Sequence, residues 1–399
     1  MTGMTGPSIG GDPPARWGAV WAMTLCVFVL IASEFLPVSL LTPIAADLQV
    51  SQGMAGQGIT VSAAFAVLTS LCLSVVAGGL DRRSILLGLT LLMGVSGLMV
   101  GLAPSYGVYM VGRALIGVVV GGFWSLSAAT AIRLVPADEV PRALALFNSG
   151  NALATVIAAP LGSYLGTVVG WRGAFFSLVP IAIVAFVWQA LSLPAMRPAA
   201  GQARVTSAPG LLGRRPVVVG MLAVGAFFMG QFALFTYVRP FLETVTHVDG
   251  TALSLVLLAM GVCGFVGTTA VGAFLRLGGQ AVLVGIPLLM AVIAATLMAV
   301  GTSPIAVIPL LGLWAFVAVP APVGWWSWLA RTLPRDAEAG GGLMVAVVQL
   351  AIGFGSFAGG WLFDRQGWHA TFAFSAAVLV TGGLLACLTT ARGGRPASQ

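Results

Sequence analysis

The sequence predicts an all-α integral membrane protein of twelve transmembrane helices arranged as two pseudo-symmetric six-helix bundles. Three observations lead there. Of 399 residues, 59% are hydrophobic and 7% charged, with a mean hydropathy of +1.03, far from the balance of a water-soluble domain. Apolar runs of about 20 residues recur along the whole chain, the length that crosses a hydrocarbon core as helix. The chain also matches itself at close to half its length.

In order, the spans are expected near 18–42, 53–79, 84–103, 107–131, 144–167, 173–193, 217–240, 252–275, 281–300, 304–328, 341–363 and 370–391. Residues 1–16 form a polar N-terminal tail, 17–193 the first bundle, 194–216 a linker, 217–391 the second bundle and 392–399 a C-terminal tail. The first span exceeds a signal-peptide core and lacks an A-x-A cleavage site, so it is read as a retained helix. Trp17, Trp21, Trp171, Trp188, Trp361 and Trp368 fall near span ends, where amphipathic rings favour the membrane–water boundary.

All 18 basic residues are arginines and the net charge is +7, a balance that in a soluble chain would suggest nucleic acid. Their distribution argues instead for topology. With the N-terminus inside, Arg16, Arg82, Arg83, Arg133, Arg142, Arg197, Arg204, Arg214, Arg215, Arg276, Arg331, Arg335, Arg392 and Arg395 lie on the cytoplasmic side. Arg172, Arg239 and Arg365 lie outside, so both termini are expected in the cytoplasm of a bacterial cell, the chain residing in the inner membrane. Cys26, Cys72, Cys263 and Cys387 form no C-x-x-C pair and are read as small buried hydrophobes. His247 and His369 are isolated, so no metal site is expected. No cofactor-binding, ATP-binding or protease motif is present.

The repeat offset is 197–198 residues. Glu34-Phe35 matches Gln231-Phe232, Thr42-Pro43 matches Arg239-Pro240, Asp138 matches Asp336, Asn151 matches Gln349, and Gly170-Trp171 matches Gly367-Trp368. Parallel halves of this kind place a substrate site between them near the membrane midplane.

Glu34 is read as the one acidic residue well inside a span, and a carboxyl there marks either a proton or substrate pathway or a packing group hydrogen-bonded between helices. Arg113, read as the one basic residue inside a span, lies on the antiparallel fourth helix. Counting 1.5 Å per residue puts the two about 12 and 9 Å from the same face. Arg113 can serve in proton coupling or in a structural ion pair. Gly117 and Gly121 follow it at helical spacing, a stripe that admits a close neighbouring backbone.

Asn148, Asn151, Gln231 and Gln349 are uncharged amides at membrane depth, suited to a cavity wall or to interhelical bonding. Phe35, Phe123, Trp124, Phe235, Tyr237, Trp325 and Trp326 lie close to them in sequence. Their rings would suit a planar substrate, stacking on a base being worth about 1–3 kcal/mol; each can equally be core or lipid-facing bulk. Asp81, Arg82 and Arg83 occupy a short turn between the second and third spans, where charges can pair with a helix end during gating.

The run Gly79-Leu80-Asp81-Arg82-Arg83 resembles a shortened form of the loop motif of the major facilitator superfamily, and Gly112-Arg113 with Gly117 resembles its fourth-helix arginine motif. Ala159-Pro160-Leu161-Gly162 is similar to the antiporter motif of the drug/proton antiporter branch, without the full Gly-Pro…Gly-Gly pattern. The runs Glu34 to Pro43, Gly121-Gly122-Phe123-Trp124, Arg133-Leu134-Val135-Pro136, Gln231-Phe232-Ala233 and Pro322-Val323-Gly324-Trp325 resemble bacterial purine ribonucleoside efflux transporters. The resemblance implies a monomeric exporter, not an enzyme, that exchanges inosine- and guanosine-like nucleosides for protons by alternating access. Proton-driven efflux of sugars or hydrophobic drugs is the alternative, and a channel or receptor without coupled turnover is a third.

Overall fold

The computed structural model describes residues 15–76, 80–136, 139–196, 211–276, 281–333 and 336–390. Gly79 of the turn motif, Asp138 of the repeat, Arg335, Arg392, Arg395 and linker residues 197–210, with Arg197 and Arg204, lie outside them. The helices are α1 (Trp17–Asp47), α2 (Gln52–Val76), α3 (Arg82–Gly101), α4 (Tyr106–Leu134), α5 (Val140–Val168) and α6 (Gly170–Ser192). The second half runs α7 (Arg215–Phe235), α8 (Val238–Thr244), α9 (Gly250–Arg276), α10 (Ile286–Val300), α11 (Pro304–Ala318), α12 (Ala321–Thr332), α13 (Ala337–Gln366) and α14 (Trp368–Thr390).

These make twelve spans among the described residues, because α7 with α8, and α11 with α12, each form one interrupted crossing. Proline explains both interruptions. A proline ring clashes with the carbonyl four residues back and donates no hydrogen bond to it. Pro240 thus breaks the helix at Thr236–Tyr237, and Pro322 ends α11 at Ala318. Helix α7 starts at Arg215, inside the stretch expected to be linker, because Pro216 is tolerated in a first turn.

The duplication read in the sequence recurs in the packing. In the first half α1 packs on α5 and α6, α2 on α4, and α3 on α4 and α6; in the second α7 packs on α13 and α14, α9 on α11, and α10 on α11 and α14. The halves meet along α2 with α13 and α5 with α9. Each half has its own apolar core. Gly170 and Gly367, paired by the repeat, have φ of 74° and 82°. Both occupy the left-handed region that glycine enters without steric cost, turning the chain into the last helix of each half.

Large apolar side chains cover the outside, with Ile305 89% and Leu191 83% exposed, as hydrocarbon surroundings allow. Cys72 and Cys387 are also exposed and Cys263 is half-buried, so of the four cysteines only Cys26 is the buried hydrophobe expected. In lipid a small apolar side chain has no need of the core. Trp171 and Trp368 turn inward: Trp171 is buried and its Nε1 donates to Asp47 at 3.3 Å, and Trp368 packs on Phe241 and Phe372. Twelve crossings return the chain to its starting side, so Trp17 and Thr390 mark one face, the tail face, and the opposite side is the far face.

Candidate substrate and proton site

Helix α1 contains Pro37 and Pro43. Each removes the N–H that would bond the carbonyl four residues earlier, freeing those of Ser33 and Ser39, both buried. A freed carbonyl away from water needs another donor. Arg113 on α4 supplies it to Ser33: Nη1 donates at 2.8 Å, while Nη2 donates to the Glu34 carbonyl at 3.0 Å and Nε to the Gly58 carbonyl at 3.3 Å. The guanidinium therefore ties α4 to α1 and α2. Gly117 and Gly121 make this possible, since a Cβ at either would lie 2.1 Å from the carbonyl oxygen of Ser62 or Ala66 on α2.

Similar depth for Glu34 and Arg113 is what the structure shows, but the bonds run to backbone. The ion pairs among the described residues are Arg142–Glu139, Arg172–Asp47, Arg214–Asp336 and Arg239–Glu243. The Glu34 carboxyl, 4% exposed, instead accepts a long bond of 3.5 Å from Gln349 Nε2 on α13, across the seam between halves. The Oε1 atoms of Gln349, at this seam, and of Gln231, next to Phe232 on α7, are buried without a protein partner. Beside them Phe35 stacks on its repeat mate Phe232, centroids 5.7 Å apart and planes at 28°, and Phe235 meets Phe232 edge-on at 5.8 Å.

Glu34 with Gln349, and Phe35 with Phe232 and Phe235, are thus brought together from α1, α7 and α13, and Gln231 precedes Phe232 on α7. The other candidates occupy the following places. Asn151 is half-buried on α5, and Asn148 lies on α5 with its side chain outside the described residues. Phe123 is fully buried in the first core, with Trp124 half-buried against it. Trp325 is buried against Trp328, while its neighbour Trp326 is 46% exposed. Tyr237 is sealed, donating to the Ser356 carbonyl at 2.8 Å and stacking on Phe363. Adjacency in sequence put these rings near the amides; helical rotation turns Phe123, Tyr237 and Trp325 into the packing and Trp326 outward.

At the tail face Asp81 caps α3, accepting from the Arg83 N–H at 3.1 Å and from the Met196 N–H at 2.7 Å. Arg83 Nη2 donates to the Ala190 carbonyl at 2.6 Å, and the Arg82 N–H donates to the Met196 carbonyl. In this conformation the turn clamps α3 to the end of α6 within one half.

Two residues were overlooked by sequence reasoning. Arg239, expected outside, lies within the seventh span, 7% exposed, because that span continues through α8 to Thr244. Arg113 is therefore not the one intramembrane arginine. Asp364, at the end of α13, accepts from Ser51 Oγ and from the Gly53 N–H across the halves. A signal for Arg239 was present: it precedes the proline that matches Pro43.

Two like six-helix halves with a polar seam at mid-depth define a membrane transporter. The chain belongs to the Major Facilitator Superfamily, whose family pattern it matches over residues 23–344. It is 61% identical over 389 residues, 97% of this chain and 96% of the relative, to "Transcription regulatory protein OpdE" of Pseudomonas aeruginosa. It is 40% identical over 370 residues, 93% of each chain, to "Purine ribonucleoside efflux pump NepI" of Salmonella typhimurium. The fold matches that of a D-xylose–proton symporter with a TM-score of 0.72 at 18% identity, covering 93% of this chain and 96% of that one.

Proposed function

We propose that the protein exports purine ribonucleosides such as inosine and guanosine in exchange for protons by alternating access, with Glu34 as the proton carrier. The observation that carries this reading is the contact of Glu34 with Gln349. A titratable group of one half touches an amide of the other, so protonation changes the bond that spans the seam. The second half holds Gln231 where the first holds Glu34, so the exchange of charge belongs to one half. Two unpartnered amide oxygens suit a neutral ligand bearing N–H and O–H donors, which a nucleoside supplies on base and ribose. The relative named as a purine ribonucleoside efflux pump supports the substrate class. The arginine distribution supports a bacterial inner-membrane location with cytoplasmic termini, making the tail face cytoplasmic.

Counterflow of labelled inosine in proteoliposomes, with proton movement followed in parallel, tests this. Inosine should exchange and move protons in the opposite direction. Competition by sugars or dyes but not nucleosides would point to the alternative substrates.

A second reading takes support from the relative named as a transcription regulatory protein: a membrane receptor whose ligand binding alters expression without coupled turnover. Ligand binding with no counterflow and no proton movement would select it.

A further inference from the structure

All six side-chain hydrogen bonds that join the two halves among the described residues lie between mid-depth and the far face. Glu34 meets Gln349 deepest; Thr60 bonds the Gly353 carbonyl at 2.9 Å, Ser254 bonds Ser163 at 2.9 Å, and Ser51, Gly53 and Ser39 meet Asp364 and Arg239 toward the far face. Among the described residues, the clamps Asp81 with Met196, Arg83 with Ala190 and Arg214 with Asp336 at the tail face each stay within a half. The six bonds between the halves seal them to each other on the far-face side.

We infer that Arg239 is the latch of this seal, holding the Ser39 carbonyl that Pro43 leaves free. The carbonyl belongs to α1 and the first half; the guanidinium belongs to α8 and the second. Pro43 cannot donate to Ser39, and Arg239 Nη1 takes that place. Glu243, one turn along α8, accepts from Arg239 Nε at 2.8 Å and holds the guanidinium in position. Pro37 and Pro43 thus give α1 two docking points of different kind. The one at Ser33 is gripped from within its own half and persists through any movement of the halves. The one at Ser39 is gripped from the other half and must be released for the far face to open. Arg239 is a positioning residue, setting how much of the protein is sealed.

The link from latch to turnover rests on the alternating-access reading, but the latch can be tested without substrate. Gln49 and His247 are exposed on the far face, one in each half. Spin labels at cysteines placed there, in a chain with the four native cysteines replaced, report the separation. Arg239→Gln removes the donor; Pro43→Ala restores the N–H inside α1 and removes the vacancy without touching Arg239 or Glu243. Each should raise the ratio of wide to narrow separations about tenfold or more, the change expected from loss of one charge-assisted hydrogen bond. The double variant should shift it no further than one alone, since both remove the same bond, and Arg239→Lys should restore part of the narrow population. If the parent opens and closes while neither variant shifts the ratio, or if the two shifts multiply, the latch is overturned. A separation that never widens overturns alternating access and the latch together. A normal latch shift without inosine counterflow upholds the latch and sinks only the nucleoside reading.

Discussion

Arg113 donates to the carbonyl of Ser33 at 2.8 Å, replacing the bond that Pro37 cannot make. The buried guanidinium bonds backbone oxygens, that of Glu34 among them, and the Glu34 carboxyl is left to the other half. The arginine is therefore expected to matter first for the integrity of the first bundle. Arg113→Gln should lower stability by about 1.5–3 kcal/mol, the value of a hydrogen bond from a charged donor. Adding Pro37→Ala, which lets α1 satisfy Ser33 itself, should recover part of the loss. Thermal unfolding in detergent measures both, and a double variant no more stable than Arg113→Gln would refute the account.

Glu34→Gln keeps size and polarity and removes the titratable proton. Uphill export driven by a proton gradient should be abolished, while counterflow of labelled inosine persists. Undiminished uphill export would remove Glu34 from the coupling role.

Asn151→Ala and Gln349→Ala should each weaken inosine binding by about 1–2 kcal/mol, the order expected for a lost buried hydrogen-bond partner. Gln349 donates to the Glu34 carboxyl, so its variant should also alter the coupling of protons to export. Calorimetry decides the first point, and parent-like binding by both variants would return these amides to interhelical packing.

Gly121→Val places a side chain where a Cβ already lies 2.1 Å from the Ala66 carbonyl oxygen. Because the obstacle is backbone, α2 and α4 must separate, and a loss of about 1–3 kcal/mol or more is expected. Gly107→Ala, with nothing within 4 Å of its Cβ, is the control. Equal thermal stability of the two variants would show that the glycine stripe does not set the α2–α4 distance.

Asp81→Asn retains a good capping side chain while removing the charge. The protein should express normally and transport more slowly. An unchanged rate would confine Asp81 to capping α3, and Asp81→Ala should then cost about 1 kcal/mol of stability through the lost cap.

Twelve spans, two halves and the depth of Glu34 were legible in the sequence, because they follow from properties the chain carries locally: hydrophobic length, the positions of charge and a register that repeats. Gly170 and Gly367 match in the duplication, and the fold gives both a positive φ. What a side chain faces is not local. Helical rotation decided that Phe123, Tyr237 and Trp325 enter the packing while Phe35 meets Phe232 across the seam. The tertiary arrangement likewise decided that Arg113 serves a carbonyl, that Gln349 reaches Glu34 from the other half, and that Arg239 lies inside the membrane against Ser39. Each of these joins residues tens to hundreds of positions apart, and the freed carbonyls that draw the arginines acquire partners only when the helices pack.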